Sequence, residues 1–194
     1  MLVHHNNIQG ANVSEADIIS RSILWTGRGQ SVEKLSLRLQ SGDIQERIIS
    51  KHLPGAVIVA VNSRNEVVLL EKYRMVVDRT LIELPAGKIE PTDTAISGAQ
   101  RELLEETGLI SDKWTDLGVA YGAQGSSDWM CHYLLAEGTE DSGLAVDPHE
   151  SHTHFWLPLT ECWEWVFTGR ICNNFSIVGL AKALSHLRYL VHTD

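Results

Sequence analysis

Gly87-Lys88-Ile89-Glu90-Pro91-Thr92-Asp93, followed seven residues later by Arg101-Glu102-Leu103-Leu104-Glu105-Glu106-Thr107-Gly108-Leu109, is the stretch whose reading decides the fold of this chain. The carboxylates at 102, 105 and 106 are spaced i, i+3, i+4, which puts all three on one face of a helix. Like charges at that spacing repel, so a helix kept only for packing gains nothing from them. A bound divalent cation reverses the sign of that interaction. The plain alternative is a solvated, Glu-rich helix end. The flanks add a helix with defined ends. Gly87 and Pro91 punctuate the entry, and Thr92 or Asp93 is placed to cap the first turn. Ala95, Ile96, Ala99 and Leu103 form an apolar stripe suited to packing on a sheet. Gly108 falls where a left-handed residue stops a helix, and Leu109 returns to the core. Arg101 lies four residues before Glu105, within reach of the preceding loop.

Working outward, 194 residues suit one domain with a small appendage, and a hydrophobic fraction of 43% suffices for a packed core. The net charge of −9 and the lack of any Lys/Arg-rich run argue against nucleic acid as a partner. A nucleotide substrate stays open, because metal ions supply local positive charge. Without a charged-then-apolar leader or an apolar run near 18 residues, the expectation is a cytoplasmic protein with no membrane partner. Cys131, Cys162 and Cys172 are odd in number, lack metal-ligand spacing and read as reduced thiols. His4-His5 reads as part of a frayed terminus. His149, His152 and His154 read as ordinary histidines of a loop that leads into a strand.

The chain divides into a β unit over 1–53 and a main domain over 54–194, with Pro54-Gly55 at the boundary. In the first, Ser22–Trp25, Glu33–Gln40 and Ile44–Lys51 read as strands, the last two joined by a turn at Ser41-Gly42-Asp43. In the second, Ala56–Val61 is a continuous apolar run suited to a central buried strand. Strands follow at Val67–Tyr73, Leu81–Leu84, Leu117–Tyr121, Met130–Ala136 and Thr153–Leu157. A Gly/Ser-rich loop spans Gly122–Asp128. Thr160–Phe167 reads as a short helix closed by Gly169. Asn173 or Asn174 caps a last helix whose apolar face is Ile177, Leu180, Ala181, Leu184 and Leu187. Trp156, Trp163 and Trp165 read as packing residues. The fold class is α+β, a mixed sheet with helices packed on it.

The opening stretch resembles the Nudix box, G-x5-E-x7-R-E-U-x-E-E-x-G-U with U a bulky aliphatic, over 23 residues. Every fixed position matches except Asp93, where the family has Glu. The resemblance implies an α/β/α sandwich with a small N-terminal antiparallel β unit. Two further stretches, Glu71-Lys72-Tyr73-Arg74 and Leu81-Ile82-Glu83-Leu84-Pro85-Ala86-Gly87-Lys88-Ile89-Glu90, resemble the ADP-ribose and nucleotide-sugar pyrophosphatase branch. That branch typically carries E-Q-Y-R and E-L-P-A-G-x-I-E there.

The implied activity is Mg²⁺-dependent hydrolysis, with Mn²⁺ as an alternative metal, of a nucleoside diphosphate sugar such as ADP-ribose. The products are a nucleoside monophosphate and a sugar phosphate. Hard cations with oxygen preference suit a Glu-rich face, and they neutralise phosphate oxygens and activate water. By resemblance, Glu102 and Glu106 are the principal metal ligands, Glu105 shares a metal or orients water, and the Ala86 carbonyl also ligates. Arg101 orients the carboxylates. Arg74 binds a phosphate or distal sugar and Glu83 the nucleoside end; the alternatives are a strand-end charge for Arg74 and a salt-bridge partner for Glu83. The base is implied to come from the acidic loop 137–150, Glu150 or Asp147, with Glu105 behind them. The loop Ala123–Trp129 departs from the ADP-ribose pattern. Gln124 stands where a proline is usual and Trp129 where an acid is, while Gly125, Ser127 and Asp128 match as substrate-binding positions. GDP-mannose or a broad nucleotide-sugar range is therefore a competing substrate. Trp129 suits either stacking on a substrate ring or packing. A homodimer that exchanges N-terminal units is implied, with Trp25, Arg28 and Arg47 as base contacts. A non-catalytic nucleotide sensor is the reading from another class; the intact Glu102, Glu105 and Glu106 weigh against it.

Overall fold

The computed structural model describes residues 16–144 and 152–187. The N-terminal unit is one antiparallel sheet in the order β1 (Ala16–Gly27), β2 (Gln30–Leu39) and β3 (Ile44–His52). Contacts divide the chain after Lys51. Arg28 and Gly29 both have positive φ, 45° and 74°, and link paired Gly27 and Gln30 as a two-residue hairpin turn of the type that matches strand twist. β1 is much longer than the Ser22–Trp25 segment expected. Register shifts between Ile18 and Ser20, and between Ile23 and Trp25, break its two-residue alternation, so no clean strand pattern shows in the sequence. The turn at residues 41–43 forms as expected: Gly42 has φ 90° and its N–H donates to the Leu39 carbonyl at 2.9 Å. Ile18, Ile23, Leu24, Trp25, Ile44 and Ile48 of this sheet are exposed.

The second unit is built on a seven-stranded mixed sheet. Its strands are β4 (Gly55–Val61), β5 (Glu66–Arg74), β6 (Arg79–Glu83), β7 (Ala86–Lys88) and, after helix α1 (Ala95–Thr107) and the short β8 (Leu109–Ile110), β9 (Lys113–Tyr121) and β10 (Met130–Glu137). The short β11 (Glu140–Asp141) pairs β8, and β12 (His152–Pro158) completes the main sheet before α2 (Leu159–Phe167) and α3 (Asn174–His186). The central order is β12-β5-β4-β10-β9, with β6 on β5 and β7 on β4. β4 and β10 run parallel, pairing Gly55 with Cys131 through Val61 with Glu137.

Every residue of β4 is buried, and its alternation explains the layers. Val57, Val59 and Val61 join Leu69, Tyr133, Leu135, Leu159, Leu180 and Leu184 in a core under α2 and α3. Ala56, Ile58 and Ala60 join Val68, Leu134, Ala99 and Leu103 in a second core under α1. A strand covered on both faces reads as a continuous apolar run, which is why Ala56–Val61 shows no polar alternation. Each fully buried Leu or Ile there contributes about 1.5–3 kcal/mol of transfer free energy.

The ends of α1 are pinned. Its N-cap is Thr94 rather than Thr92 or Asp93. The Thr94 hydroxyl accepts from Ser97 N at 3.0 Å, and the Thr94 N–H donates to Ser97 Oγ at 2.9 Å, a reciprocal capping box. At the other end Gly108 is left-handed, φ 72°, and its N–H donates to the Leu104 carbonyl. Ala99 and Leu103 are fully buried as expected, whereas Ile96, in the first turn, is 40% exposed and joins neither core. His154 lies in β12 within the expected Thr153–Leu157 strand, and His152 begins that strand rather than lying in the loop before it, while His149 and His4-His5 fall outside the described residues. Among the described residues no helix is long and apolar enough to cross a membrane.

Candidate active site

β7 is the hinge of the site. Gly55, Ala56 and Val57 of β4 pair with Lys88, Gly87 and Ala86, so the three β7 residues are anchored to the most buried strand. Helix α1 packs over them and delivers its carboxylates. A Cβ added at Gly87 would lie 1.9 Å from Glu102 Cδ and 2.0 and 2.2 Å from its carboxylate oxygens. Only glycine leaves the Glu102 carboxylate where it is, because that carboxylate occupies the side-chain position.

Glu106 is 3% exposed, with both oxygens engaged. Oε2 accepts from the Ala86 N–H at 2.9 Å and Oε1 from Lys72 Nζ at 2.8 Å. Its backbone carbonyl is 2.9 Å from His152 Nε2. Burial pushes the Glu106 carboxyl above the usual carboxylate range, against the opposing pull of Lys72 and the Ala86 N–H. Glu102 is likewise raised by burial, opposed by Arg101 and reinforced by Glu106 and Glu105. Glu105 is the most accessible of the three, its side chain 43% exposed.

Arg101 ties this face together. Its guanidinium donates to Glu102 Oε1 at 2.8 Å, Glu105 Oε2 at 3.0 Å and the Lys88 carbonyl at 2.8 Å. Its contact with Asp93 Oδ2 is long, 3.4 Å. Asp93 is one methylene shorter than Glu, which accounts for the stretched contact. Ser97 Oγ also lies 3.4 Å from Asp93 Oδ1.

The carboxylates suit a hard divalent cation by their chemistry. Glu106 is buried and Glu102 half-buried, with protein cations that do not fully offset the cost, Glu105 stands beside them, and the missing side chain of Gly87 lets the Glu102 carboxylate lie against the backbone. Among the described residues no three acidic, His or Cys side chains converge on one point. Glu102 and Glu105 turn onto Arg101, and Glu106 onto Lys72.

A cleft of about 550 Å³ opens on β7 and is lined by Ala86, Gly87, Lys88, Arg74, Glu83 and Trp129, among others. Arg74 and Glu83 meet in it. Arg74 Nε donates to Glu83 Oε1 at 3.0 Å, a second guanidinium nitrogen donates to Oε2, and Asn173 Nδ2 donates to Oε1 at 3.2 Å. Asn173 also caps α3, accepting from Ser176 N and Ser176 Oγ, and Ser176 Oγ accepts from Leu84 N. Glu83, 4% exposed, is thus fixed from two elements.

Trp129 forms another wall. It stacks on His52 at 5.1 Å and meets the edge of Phe175 at 4.7 Å. Asp128 Oδ1 accepts from the His52 N–H at 3.0 Å, and Ser127 Oγ accepts from Trp129 N at 3.1 Å. Asp128 and Ser127 therefore hold the Trp129 corner in shape, and Gly125 is exposed beside them. Cys131 also lines the cleft, its thiol pushed up to about 11 by burial and so held protonated. Cys162 is pushed up to about 12 by burial, and all three cysteines are free.

The structure brings Ala86, Glu102, Glu105, Glu106 and Arg101 together around β7, and Arg74 and Glu83 together in the cleft. Trp25 and Arg47 lie in the N-terminal unit, where Trp25 is half-exposed and Arg47 donates to Gln45 Oε1 at 3.4 Å. Asp147 and Glu150 lie outside the described residues. Sequence reasoning missed Lys72 and Asn173 as site residues. Lys72 stands where the branch typically has Gln, the one local signal available. Asn173 showed only its capping role, because its partner Glu83 is 90 positions away.

A profile of the NUDIX domain matches residues 51–170. The chain belongs to the NUDIX family. It is 31% identical over 167 residues, 84% of this chain and 81% of the relative, to an ADP-ribose pyrophosphatase of Mycobacterium tuberculosis. It is 28% identical over 180 residues, 89% and 97% of the two chains, to a methanol dehydrogenase activator of Bacillus methanolicus. A crystal structure of an ADP compounds hydrolase superposes with a TM-score of 0.78 at 17% identity, covering 93% of this chain and 98% of that one, which establishes the shared fold.

Proposed function

We propose that this Nudix hydrolase cleaves the diphosphate of ADP-ribose or a related nucleoside diphosphate sugar, releasing a nucleoside monophosphate and a sugar phosphate. The observation that carries the reading is the shared strand β7. Its backbone contacts the Glu102 and Glu106 carboxylates of α1; the same residues line a cleft that holds Arg74 and Glu83. The ADP-ribose pyrophosphatase named among its relatives supports the substrate class.

Glu102, Glu105, Glu106 and the Ala86 carbonyl would hold Mg²⁺ or Mn²⁺, which supplies charge neutralisation at the diphosphate and a more acidic bound water. The protein's own part is positioning. Arg101 holds Glu102 and Glu105 at fixed angles and anchors them to the Lys88 carbonyl. The Ala86 N–H fixes the Glu106 carboxylate. Arg74, held on Glu83, presents positive charge inside the cleft for a phosphate or distal sugar, while Glu83 accepts from ribose or base donors. The base that takes the water proton is Glu150 or Asp147, or Glu105 as the accessible carboxylate of the helix. Gly125, Ser127 and Asp128 shape the substrate corner with Trp129.

Exposed Ile18, Ile23, Leu24, Trp25, Ile44 and Ile48 support a homodimer formed through the N-terminal units, with Trp25, Arg28 and Arg47 as base contacts. The domain division is proposed at residues 53/54, in a cytoplasmic protein. Gln124 and Trp129 depart from the ADP-ribose pattern, and Trp129 lines the cleft, which supports the second reading, another nucleotide sugar such as GDP-mannose.

The test is phosphatase-coupled hydrolysis of ADP-ribose, GDP-mannose, UDP-glucose, NADH, diadenosine polyphosphates and nucleoside triphosphates with Mg²⁺ or Mn²⁺. ADP-ribose as the preferred substrate supports the first reading. Preference for another sugar diphosphate moves the assignment to the second. Nucleotide binding without turnover of any substrate leaves a sensor.

A further inference from the structure

We propose that Lys72 is a built-in competitor of the catalytic metal: its ammonium occupies the Glu106 carboxylate in the metal-free protein, and a divalent cation gains Glu106 by displacing it. This rests on the reading of Glu106 as a metal ligand and deepens it.

The two oxygens of Glu106 are already engaged, one by the Ala86 N–H and the other by Lys72 Nζ at 2.8 Å. The Ala86 N–H belongs to the backbone of a strand paired to β4 and is fixed. Lys72 is the partner that can yield. Its ammonium ends a flexible four-carbon stem, and its side chain is 19% exposed, so it has a route to water. The Glu106 side chain, 3% exposed, has no comparable route.

An ammonium and a divalent cation on one carboxylate repel strongly in so buried a place. The lysine thus does two opposite things. Without metal it neutralises a buried carboxylate that would otherwise be costly. With metal arriving it has to leave, and the free energy of that ion pair is subtracted from metal affinity. Lys72 comes from β5, opposite His152 of β12 in the sheet register, and His152 Nε2 lies 2.9 Å from the Glu106 carbonyl. These contacts hold the end of α1 to the sheet independently of the ammonium, so removing the charge leaves the carboxylate in position. The outcome is a raised threshold of metal concentration, set by one side chain outside the Nudix box.

The experiment is titration with Mn²⁺ in the absence of substrate, reading free Mn²⁺ by its EPR signal, on the full chain and on K72Q, K72R and E106Q. K72Q is expected to bind Mn²⁺ at least about tenfold more tightly, and K72R about as the parent does. E106Q is expected to lose most of the binding. Unchanged or weaker binding by K72Q, with E106Q impaired, overturns the competitor role and leaves the metal-ligand reading standing. Parent-like binding by E106Q overturns both. If K72Q fails to fold, acetic anhydride labelling of Lys72 in the parent chain decides the matter by mass spectrometry. Labelling is expected to rise several-fold as Mn²⁺ saturates, and constant labelling overturns the proposal.

Discussion

Replacing Gly87 with alanine separates stability from activity in a way that only the geometry of β7 foresees. The new methyl would sit 1.9 Å from Glu102 Cδ, so the carboxylate has to retreat by about 1.5 Å or more to regain ordinary van der Waals separation. Gly87 is not among the glycines with positive φ, so alanine adds no left-handed strain. The atoms that give way are the end of a flexible side chain, 15% exposed, not backbone. The pairing of Gly87 with Ala56 uses only main-chain atoms and survives. The stability loss is therefore at the low end for an overpacked site, about 1 kcal/mol. The activity loss is much larger, because misplacing a catalytic group by roughly 1 Å costs on the order of 100-fold. Urea unfolding in EDTA gives the first quantity and Mn²⁺-dependent ADP-ribose hydrolysis the second. Retention of activity within about threefold would refute the placement of Glu102 as a ligand. A stability loss beyond about 3 kcal/mol would refute the claim that the side chain alone yields.

Three further outcomes follow from the same site. Burial raises Glu102 and Glu106 above the reference value of 4.5, so the stability tied to their protonated forms is present below that pH and lost as pH rises through the folded-state values. Metal requires the ionised forms, so the gain in Tm from Mn²⁺ over EDTA should grow with pH across that window and shrink in E106Q; a gain independent of pH contradicts this. Asp93→Glu adds the missing methylene and should shorten the 3.4 Å contact to Arg101, raising stability by about 0.5 kcal/mol in thermal unfolding; a loss above about 1 kcal/mol would show that the shorter side chain is needed. Glu83→Gln weakens the hold on Arg74 and should raise KM for ADP-ribose about tenfold with a smaller change in kcat; a kcat loss at constant KM would place Glu83 in the chemical step instead.

The box helix was legible because its information is local. Gly108, the spacing of 102, 105 and 106, and the buried pair Ala99 and Leu103 all fall within one element. The cap was less so. Thr92, Asp93 and Thr94 are all competent, and Ser97 selects Thr94 through a reciprocal pair of bonds. Ile96 fits the apolar stripe by type and by spacing, yet it sits in the first turn of the helix, is 40% exposed and joins neither core. β1 was seen only in part because register shifts erase its alternation. The contacts that shape the site join distant positions: Lys72 to Glu106 across 34 residues and Asn173 to Glu83 across 90. Neither leaves a local trace beyond the type of each residue.

On the proposed function, carboxylates of α1 hold the metal that drives hydrolysis at the cleft shared through β7. The most direct measurement is single-turnover hydrolysis of ADP-ribose, with products resolved by chromatography, for the parent chain and for E102Q and E106Q at saturating Mg²⁺ or Mn²⁺. AMP and ribose 5-phosphate are expected from the parent, no reaction in EDTA, and losses of at least about 100-fold in both variants with the fold intact. Turnover by folded E102Q and E106Q close to that of the parent would contradict that function.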